Sequence, residues 1–321
     1  MNKLIINIPA YNEAKVIGKT ITNMPRHFKG IDQVLIQVID DGSRDDTAKI
    51  AEEAGADIVI SHETNRRLGS TFNTAVESAI DHGANIMINI DADGQFNSEE
   101  IKDLLRPILK GEADITIGDR FNKGTADGIP LAKNILNRLA AKIVGMFLNT
   151  DIHDLTCGFR GHSKEALLKL NKVTGFTYTQ ETIIDAIGKK LKLAWVPVSV
   201  KYFNNRQSRI VKSIWSFVNN SARIIIRAIR DVRPMKFFGI PGLILITFSF
   251  IAFGVFLYLY LPELKITPYR NHLLVAIALF LVGLQFIVFA MLADMVRGSR
   301  KINEDTIYRM KLAAWKKGRI L

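Results

Sequence analysis

The sequence predicts an α/β fold: a mostly parallel sheet with helices on both faces, followed by a basic amphipathic helix and a two-helix transmembrane hairpin. Three observations predict it. Up to about Tyr202, short continuous apolar runs alternate with amphipathic stretches, the pattern of parallel strands joined by helical crossovers. From Arg209 to Lys236, apolar residues share one helical face and basic residues lie roughly opposite. Finally, 237–261 and 272–293 hold no charged residue except His272, and each reaches the length of about 20 apolar residues that crosses a bilayer as a helix.

The elements follow in order. "LIINIPAY" is a first strand, and "AKVIGKTITNM" a helix with Pro25 beyond it. "VLIQVIDDGS" is a second strand. "DDTAKIAEEAG" is a helix with Asp45 or Asp46 near its N-cap and Gly55 at its end. "DIVISHE", "ANIMINIDADG" and "ADITIGDRF" are three further strands. Between them, "STFNTAVESAIDHG" and "NSEEIKDLLRPILKG" are helices. The latter opens on Asn97 with Glu100 three residues on, the spacing of a capping box.

The domains expected are a catalytic domain over 1–206, a basic juxtamembrane helix over 207–236, two spans within 237–296 (about 237–261 and 272–295) and a basic tail over 297–321. In the juxtamembrane helix, Ile210, Ile214, Phe217, Ile225, Ala228 and Val232 oppose Lys212, Arg223, Arg227 and Arg230, which suits an anionic membrane surface. Arg233 and Lys236 extend that charge to the first span, and Arg297, Arg300 and Lys301 follow the second. The ten-residue connector "PELKITPYRN" has only Lys265 and Arg270, so both termini are expected in the cytoplasm. No apolar segment with a small-residue cleavage site follows "MNKL", so no signal peptide is expected and the first domain stays cytosolic.

Composition is consistent with this. The 321 residues are 48% hydrophobic and carry a net charge of +12, with mean hydropathy +0.13 and pI ≈ 9.7. Such a balance calls for an anionic partner. Much of the charge lies beside the apolar runs, so a lipid bilayer, not nucleic acid, is expected. The single cysteine, Cys157, excludes a disulfide within the chain. The sequence leaves a homo-oligomer open.

Ligands of parallel sheets bind at the carboxyl ends of the strands. The fourth strand ends on Asp91 and Asp93, which point the same way in an extended segment and can share one Mg²⁺ or Mn²⁺ that also holds substrate phosphates. Such acid pairs also occur in solvated turns. Tyr11, Asn12 and Glu13 end the first strand, and Asp40–Ser43 end the second. These groups can meet a nucleotide, or in the second case form an ordinary turn and cap. No GxGxxG follows the first strand and no GxxxxGK[ST] is present, which speaks against a dinucleotide dehydrogenase and a P-loop enzyme.

"IPAYNE", "VIDDGSRDDT", "NIDADGQF" and "IGDRF", in this order, resemble the motifs of family 2 glycosyltransferases with a GT-A fold. "DLTCGFRG", 154–161, and the two apolar runs resemble the dolichyl-phosphate mannose synthase branch and the bacterial polyprenyl-phosphate glycosyltransferases. The resemblance implies a membrane-bound, inverting, metal-dependent hexosyltransferase of cell-envelope glycan assembly. Its donor would be a UDP- or GDP-sugar and its acceptor a polyprenyl phosphate, undecaprenyl or dolichyl. The alternatives are another lipid acceptor, such as diacylglycerol, or a catalytically silent membrane anchor subunit. By the same resemblance, Pro9, Tyr11, Glu13, Asp41 and Arg206 line the nucleotide sugar, and Asp91, Asp93 and Gln95 hold metal and diphosphate. Arg120 faces the acceptor phosphate with help from Lys133 and Arg138, and Asp154 lies near the sugar. Lys133 is equally a solvated cation, and Glu181 resembles a family acid or is a solvated first-turn residue. Arg160 and Cys157 read as structural. Gln207-Ser208-Arg209 stands where the family has a Gly-Ser-Lys-like turn, and the QxxRW signature of processive synthases is absent.

Overall fold

The computed structural model describes residues 2–121, 126–127, 131–173, 178–201, 214–264 and 266–318. These form two compact units, Met1–Ile225 with Glu304–Leu321, and Ile226–Asn303. The first unit begins β1 (Lys3–Ala10), α1 (Ile17–Thr22), β2 (Gln33–Asp40), α2 (Thr47–Glu53), β3 (Ile58–Ser61), α3 (Arg67–Asp81), β4 (Ile86–Asn89), α4 (Ile101–Leu109) and β5 (Ile115–Asp119). It continues with β6 (Ala126–Asp127), α5 (Leu131–Leu148), β7 (Arg160–Ser163), α6 (Lys164–Lys169), α7 (Thr179–Gly188), β8 (Leu193–Pro197) and β9 (Val200–Lys201). Seven strands make one sheet in the order β3-β2-β1-β4-β7-β5-β8, and β6 pairs with β9 in a short ribbon. Strand β7 runs antiparallel to both β4 and β5, and the other pairings are parallel. Consecutive side chains of a strand point to opposite faces. Leu4, Ile5 and Ile6 are all fully buried, so both faces of β1 are covered.

The five strands read from the sequence are present. Strands β7 and β8 are added, and β7 escaped reading because "RGHS" is polar although its Arg160 and His162 are fully buried. The expected capping box is half formed. Asn97 accepts a hydrogen bond from the Glu99 N–H at 3.1 Å, but the Glu100 carboxylate instead accepts the Ser199 N–H at 3.0 and 3.1 Å. The neighbouring segment 198–201 claims it, since the bridge between Phe96 and Val200 brings that segment alongside.

The remaining helices are α8 (Ile214–Val232), α9 (Pro234–Glu263) and α10 (Arg270–Gly318). Pro234 opens α9, where its missing N–H is not needed. Within the second unit, α9 and α10 approach at glycines: a Cβ on either Gly242 or Gly283 would lie 3.0 Å from the other's carbonyl oxygen. Small residues give apolar helices this close approach. The Ser249 hydroxyl donates to the Ala276 carbonyl at 2.8 Å. Both helices are long and apolar enough to cross a membrane, and Leu243, Phe250, Leu281 and Phe289 face outward.

Residues 297–318 of the expected basic tail continue α10 as helix. Its last turns belong to the first unit. Trp315 is buried there and its indole N–H donates to the Ala84 carbonyl at 2.7 Å, just before β4. Lys164 lies over the same ring at 4.3 Å, and the Lys311 ammonium donates to the Leu170 carbonyl at 2.7 Å.

Candidate active site

Parallel pairing puts the carboxyl ends of β1, β2, β4 and β5 along one edge of the sheet. Just before that edge, register aligns one polar residue from each of three apolar strands: Gln37 opposite Asn7, and Asn7 opposite Asn89. The Gln37 amide donates to Asn7 Oδ1 at 2.9 Å, and the Asn7 amide to Asn89 Oδ1 at 2.6 Å. Asn89 in turn donates to the Tyr178 hydroxyl at 2.7 Å and the Gly158 carbonyl at 3.1 Å. Buried amides are tolerated when so paired.

Two residues beyond Asn89 stands Asp91. Its loop is fixed on three sides. Thr20 of α1 donates to the Ala92 carbonyl at 2.9 Å. The Gln95 N–H donates to Asp93 Oδ1 at 3.0 Å. Gly158 lies against Asp91: a Cβ there would stand 3.1 and 3.3 Å from its two carboxylate oxygens. Burial, then the charges of Asp93 and Glu13, push the Asp91 carboxyl up to about 7 against the opposing pull of Arg120 and Arg160. Asp93 and Glu13 are thus close enough for their charges to act on Asp91.

Asp154 and Arg120, expected near the sugar and the acceptor phosphate, lie against each other. Asp154 is fully buried, and Arg120 is nearly so. Arg120 Nε donates to Asp154 Oδ2 at 2.7 Å and Nη2 to Oδ1 at 2.9 Å, a bidentate pair. Asp154 also accepts the backbone N–H groups of Thr156 and Cys157 at 2.9 and 3.1 Å, and the Asn137 amide at 3.3 Å. Burial opposes its ionisation, but the Arg120 charge and hydrogen bonds prevail and hold the carboxyl below the usual range. Asp154 thus ties its own loop to Arg120, which also donates to the Thr156 hydroxyl at 2.7 Å.

Asp41 is also engaged internally. Its carboxylate accepts the N–H groups of Arg66 and Arg67, each at 2.8 Å, and faces His62 Nδ1 at 2.9 Å. Asp40 accepts the Ser43 hydroxyl, closing an ordinary turn. Asn12 ties the first loop to the second, its N–H donating to Ser43 Oγ and its Oδ1 accepting the Arg44 N–H, both at 2.8 Å. Pro9, Tyr11 and Glu13 are half-buried along β1 and the loop that follows. Gln95 is half-buried, and its carbonyl accepts the Lys201 N–H at 3.0 Å. Arg138 is exposed on α5 and borders a cavity with Asp119, Phe121 and His153. Lys133 lies on α5 with its side chain outside the described residues, as is all of Arg206.

Arg160 is fully buried and clips the 154–159 loop to α7. Its guanidinium donates to the carbonyls of Cys157 and Thr179, each at 2.7 Å, and to the Thr182 hydroxyl at 2.9 Å. Burial pushes the Cys157 thiol up to about 12, so it is inert. The amide row, Tyr178 and Gly158 were not singled out from the sequence. The one trace of the row is a lone polar residue within each apolar run, as in "IINIPA" and "IMINID".

Among the described residues, no group of three or more His, Cys, Asp or Glu forms a metal cage. Two adjoining carboxylates still fit a hard divalent cation that keeps most of its positions for water and substrate phosphates. A mostly parallel sheet with an acid pair at its edge fits a GT-A-type fold. The glycosyl transferase family 2 model matches residues 5–170. The chain belongs to that family and is a glycosyltransferase. It is 30% identical over 229 residues to the UDP-N-acetylglucosamine–dolichyl-phosphate N-acetylglucosaminyltransferase of Methanococcus voltae, covering 65% of this chain and 90% of that one. Glycosyltransferase AglJ of Haloferax volcanii is 28% identical over 299 residues, 90% of this chain and 91% of that one. Polyprenol monophosphomannose synthase of Mycolicibacterium smegmatis is 29% identical over 224 residues, 65% and 80%. Glucosyl-3-phosphoglycerate synthase from Mycobacterium tuberculosis, solved with Mn²⁺ and uridine diphosphate, shares the fold with a TM-score of 0.54 at 20% identity, over 72% of this chain and 80% of that one.

Proposed function

We propose that this chain transfers a sugar from a nucleoside-diphosphate sugar to a polyprenyl phosphate at a membrane, inverting the anomeric configuration. The observation that carries the reading is the Asp91–Asp93 pair at the edge of the sheet, where burial and mutual repulsion resist the ionisation of Asp91. Asp91 and Asp93, with Gln95 beside them, would hold Mg²⁺ or Mn²⁺. A divalent cation bound there supplies charge stabilisation for the leaving diphosphate. Pro9, Tyr11 and Glu13 line the nucleotide side, and Asp41 shapes that side by holding the N-terminus of α3. Arg206 belongs to this proposal through its motif alone. The acceptor phosphate is already anionic near neutral pH, so positioning and electrostatics carry most of the rate. Arg138, exposed beside the cavity, supports an acceptor-phosphate role with Arg120, and Lys133 on α5 belongs to this reading through its position in the sequence alone. The names of the Methanococcus and Mycolicibacterium relatives support a polyprenyl-type acceptor and differ in the sugar.

The test is transfer by the full chain in nanodiscs with polyprenyl phosphate and radiolabelled UDP- and GDP-sugars. A lipid-linked product whose formation needs Mg²⁺ or Mn²⁺ is expected. Product on diacylglycerol alone, or none with any donor, overturns the reading. The basic flanks further support a cytoplasmic side for both termini and the first unit. A cysteine at Thr267 should then react with an impermeant thiol reagent in intact cells, and labelling only after lysis reverses the topology.

A further inference from the structure

Helix α5 has an unusual outer face. Asn137, Ala141, Val144 and Leu148 recur at helical spacing and are buried against the first unit. The opposite face of a soluble helix is ordinarily polar. On α4 that face includes Lys102 and Arg106, and on α3 it includes Glu77 and Asp81. On α5 it presents Leu139, Ile143 and Met146, which are 53%, 48% and 67% exposed. Their spacing of four and three residues makes them one stripe. Among described residues up to 201, one other large apolar side chain is exposed, Leu109 at 38%. Isolated exposed apolar residues need no explanation, but a stripe concentrated on one helix does. Exposed Arg138 and Lys142 flank the stripe, and α5 contains no acidic residue along its length.

We propose that this face of α5 docks into the interfacial layer of the bilayer, with Leu139, Ile143 and Met146 among the upper acyl chains and Arg138 and Lys142 on anionic headgroups. The inference rests on the reading of the chain as a membrane protein. Two features select lipid over a protein partner. Charge is the first: Arg138 and Lys142 flank the apolar stripe and α5 itself carries no acid, so that, with exposed Asp151 beyond its end as the one acid lining the adjoining cavity, the helix complements an anionic lipid surface. The second is that the same chain carries two helices long and apolar enough to cross a membrane, so the first unit is tethered to such a surface. An amphipathic helix lies in the plane of the interface with its apolar side chains buried a few ångströms. Docking of this kind would hold Arg138, and the edge of the sheet behind it, at the depth where the phosphate of a membrane-dissolved acceptor lies.

The experiment places an environment-sensitive fluorophore on single cysteines of the full chain, in vesicles of phosphatidylcholine with phosphatidylglycerol. Three sites are compared: Ile143→Cys on the stripe, Leu281→Cys in the second apolar helix and Lys110→Cys on the exposed end of α4. Native Cys157 is fully buried and stays unlabelled. Spin-labelled acyl chains and aqueous iodide serve as quenchers. The expected result is a blue shift and loss of emission to the lipid quencher at 143 and 281, with 110 quenched by iodide alone. If 281 is not reached by the lipid quencher, the membrane reading fails and this inference with it. If 281 is reached and 143 behaves like 110, the bilayer reading stands and the docking face is refuted. Protection of 143 from both quenchers, or crosslinking between copies, assigns the face to protein and equally overturns the proposal. As a second readout, Ile143→Ser with Met146→Ser should raise KM for the long-chain acceptor and leave KM for a short, water-soluble analogue unchanged. An equal change for both acceptors contradicts interfacial docking.

Discussion

Asp91 and Asp154 are acids set into adjoining loops, and both feel Arg120 and Arg160. Their states are opposite. Asp154 is gripped bidentately by Arg120 and capped by two backbone N–H groups, so its charge is matched within the fold. Asp91 feels the charge of the same two cations, and burial, Asp93 and Glu13 outweigh them. Asp154 is fully buried and Asp91 half-buried, and an acid whose charge the chain has matched is scaffold. One whose charge is resisted is poised for a ligand.

The largest expected effect tests the resisted acid. Asp91→Asn should lower transfer about a thousandfold or more, on the order of 4 kcal/mol of transition-state stabilisation. Because the folded protein resists the Asp91 charge, the amide should leave the melting temperature unchanged or raise it. Lost activity together with a lost fold would place Asp91 in the scaffold class.

The matched acid should do the reverse. Asp154→Asn leaves Arg120 buried without its counter-charge, and the expected loss is about 3 kcal/mol of stability. Thermal melting of the detergent-solubilised chain measures it. Arg120→Met combined with Asp154→Leu should cost less than either single change, since both charges leave together. Full additivity would show that the pair is not a unit. Arg120→Ala is for this reason a poor probe of the acceptor: it unmatches Asp154 whatever else it does.

The contrast between the two acids was half legible in the sequence. Asp91 stood out because an apolar strand ended on it with Asp93 two residues on, a local pattern. Asp154 stood out only by resemblance, and its pairing with Arg120 was hidden because that partner lies thirty-four residues away. The amide row was hidden for the same reason. Asn7, Gln37 and Asn89 each interrupt an apolar run, but only register across three strands makes them neighbours. The five parallel strands were readable from their continuous apolar runs. Strand β7 was not, since burial of Arg160 and His162 reflects tertiary placement rather than local pattern. The packing of the basic tail was not legible because Trp315 is one aromatic residue among lysines, and its acceptor carbonyl at Ala84 lies across the chain.

His162 supplies an intermediate case, a buried group kept neutral. Burial, then the Arg160 charge, push its imidazole down to about 3. The unfolded chain takes up the proton near 6.5 and the folded one does not until about 3, so stability is lost as pH falls below about 6.5. At pH 5 the loss is about 2 kcal/mol, one and a half pH steps below the unfolded value. Melting at pH 7.5 and pH 5 should differ more in the native chain than in His162→Phe. Equal pH dependence in the two proteins would remove His162 from this account.

The smallest expected effect decides how far the scaffold reaches towards Asp91. The Tyr178 hydroxyl accepts from Asn89 at 2.7 Å and donates to the Gly158 carbonyl at 3.0 Å. Gly158 is the residue that lies against the Asp91 carboxylate. Tyr178→Phe removes both hydrogen bonds but keeps the ring, which stacks on Phe72 at 4.2 Å and lies under Arg160. The Asn89 amide retains its bond to Gly158, so the loss should be about 1 kcal/mol, the net worth of a buried hydrogen bond. If Tyr178 is scaffold, activity should fall only a few-fold, and the metal concentration for half-maximal activity should rise modestly as the Gly158 loop loosens around Asp91. A melting temperature that falls with metal response unchanged would confine Tyr178 to packing. Loss of transfer as deep as that of Asp91→Asn, with melting unchanged, would move the hydroxyl from the scaffold into the reacting site, and the boundary drawn between the two acids would have to move with it.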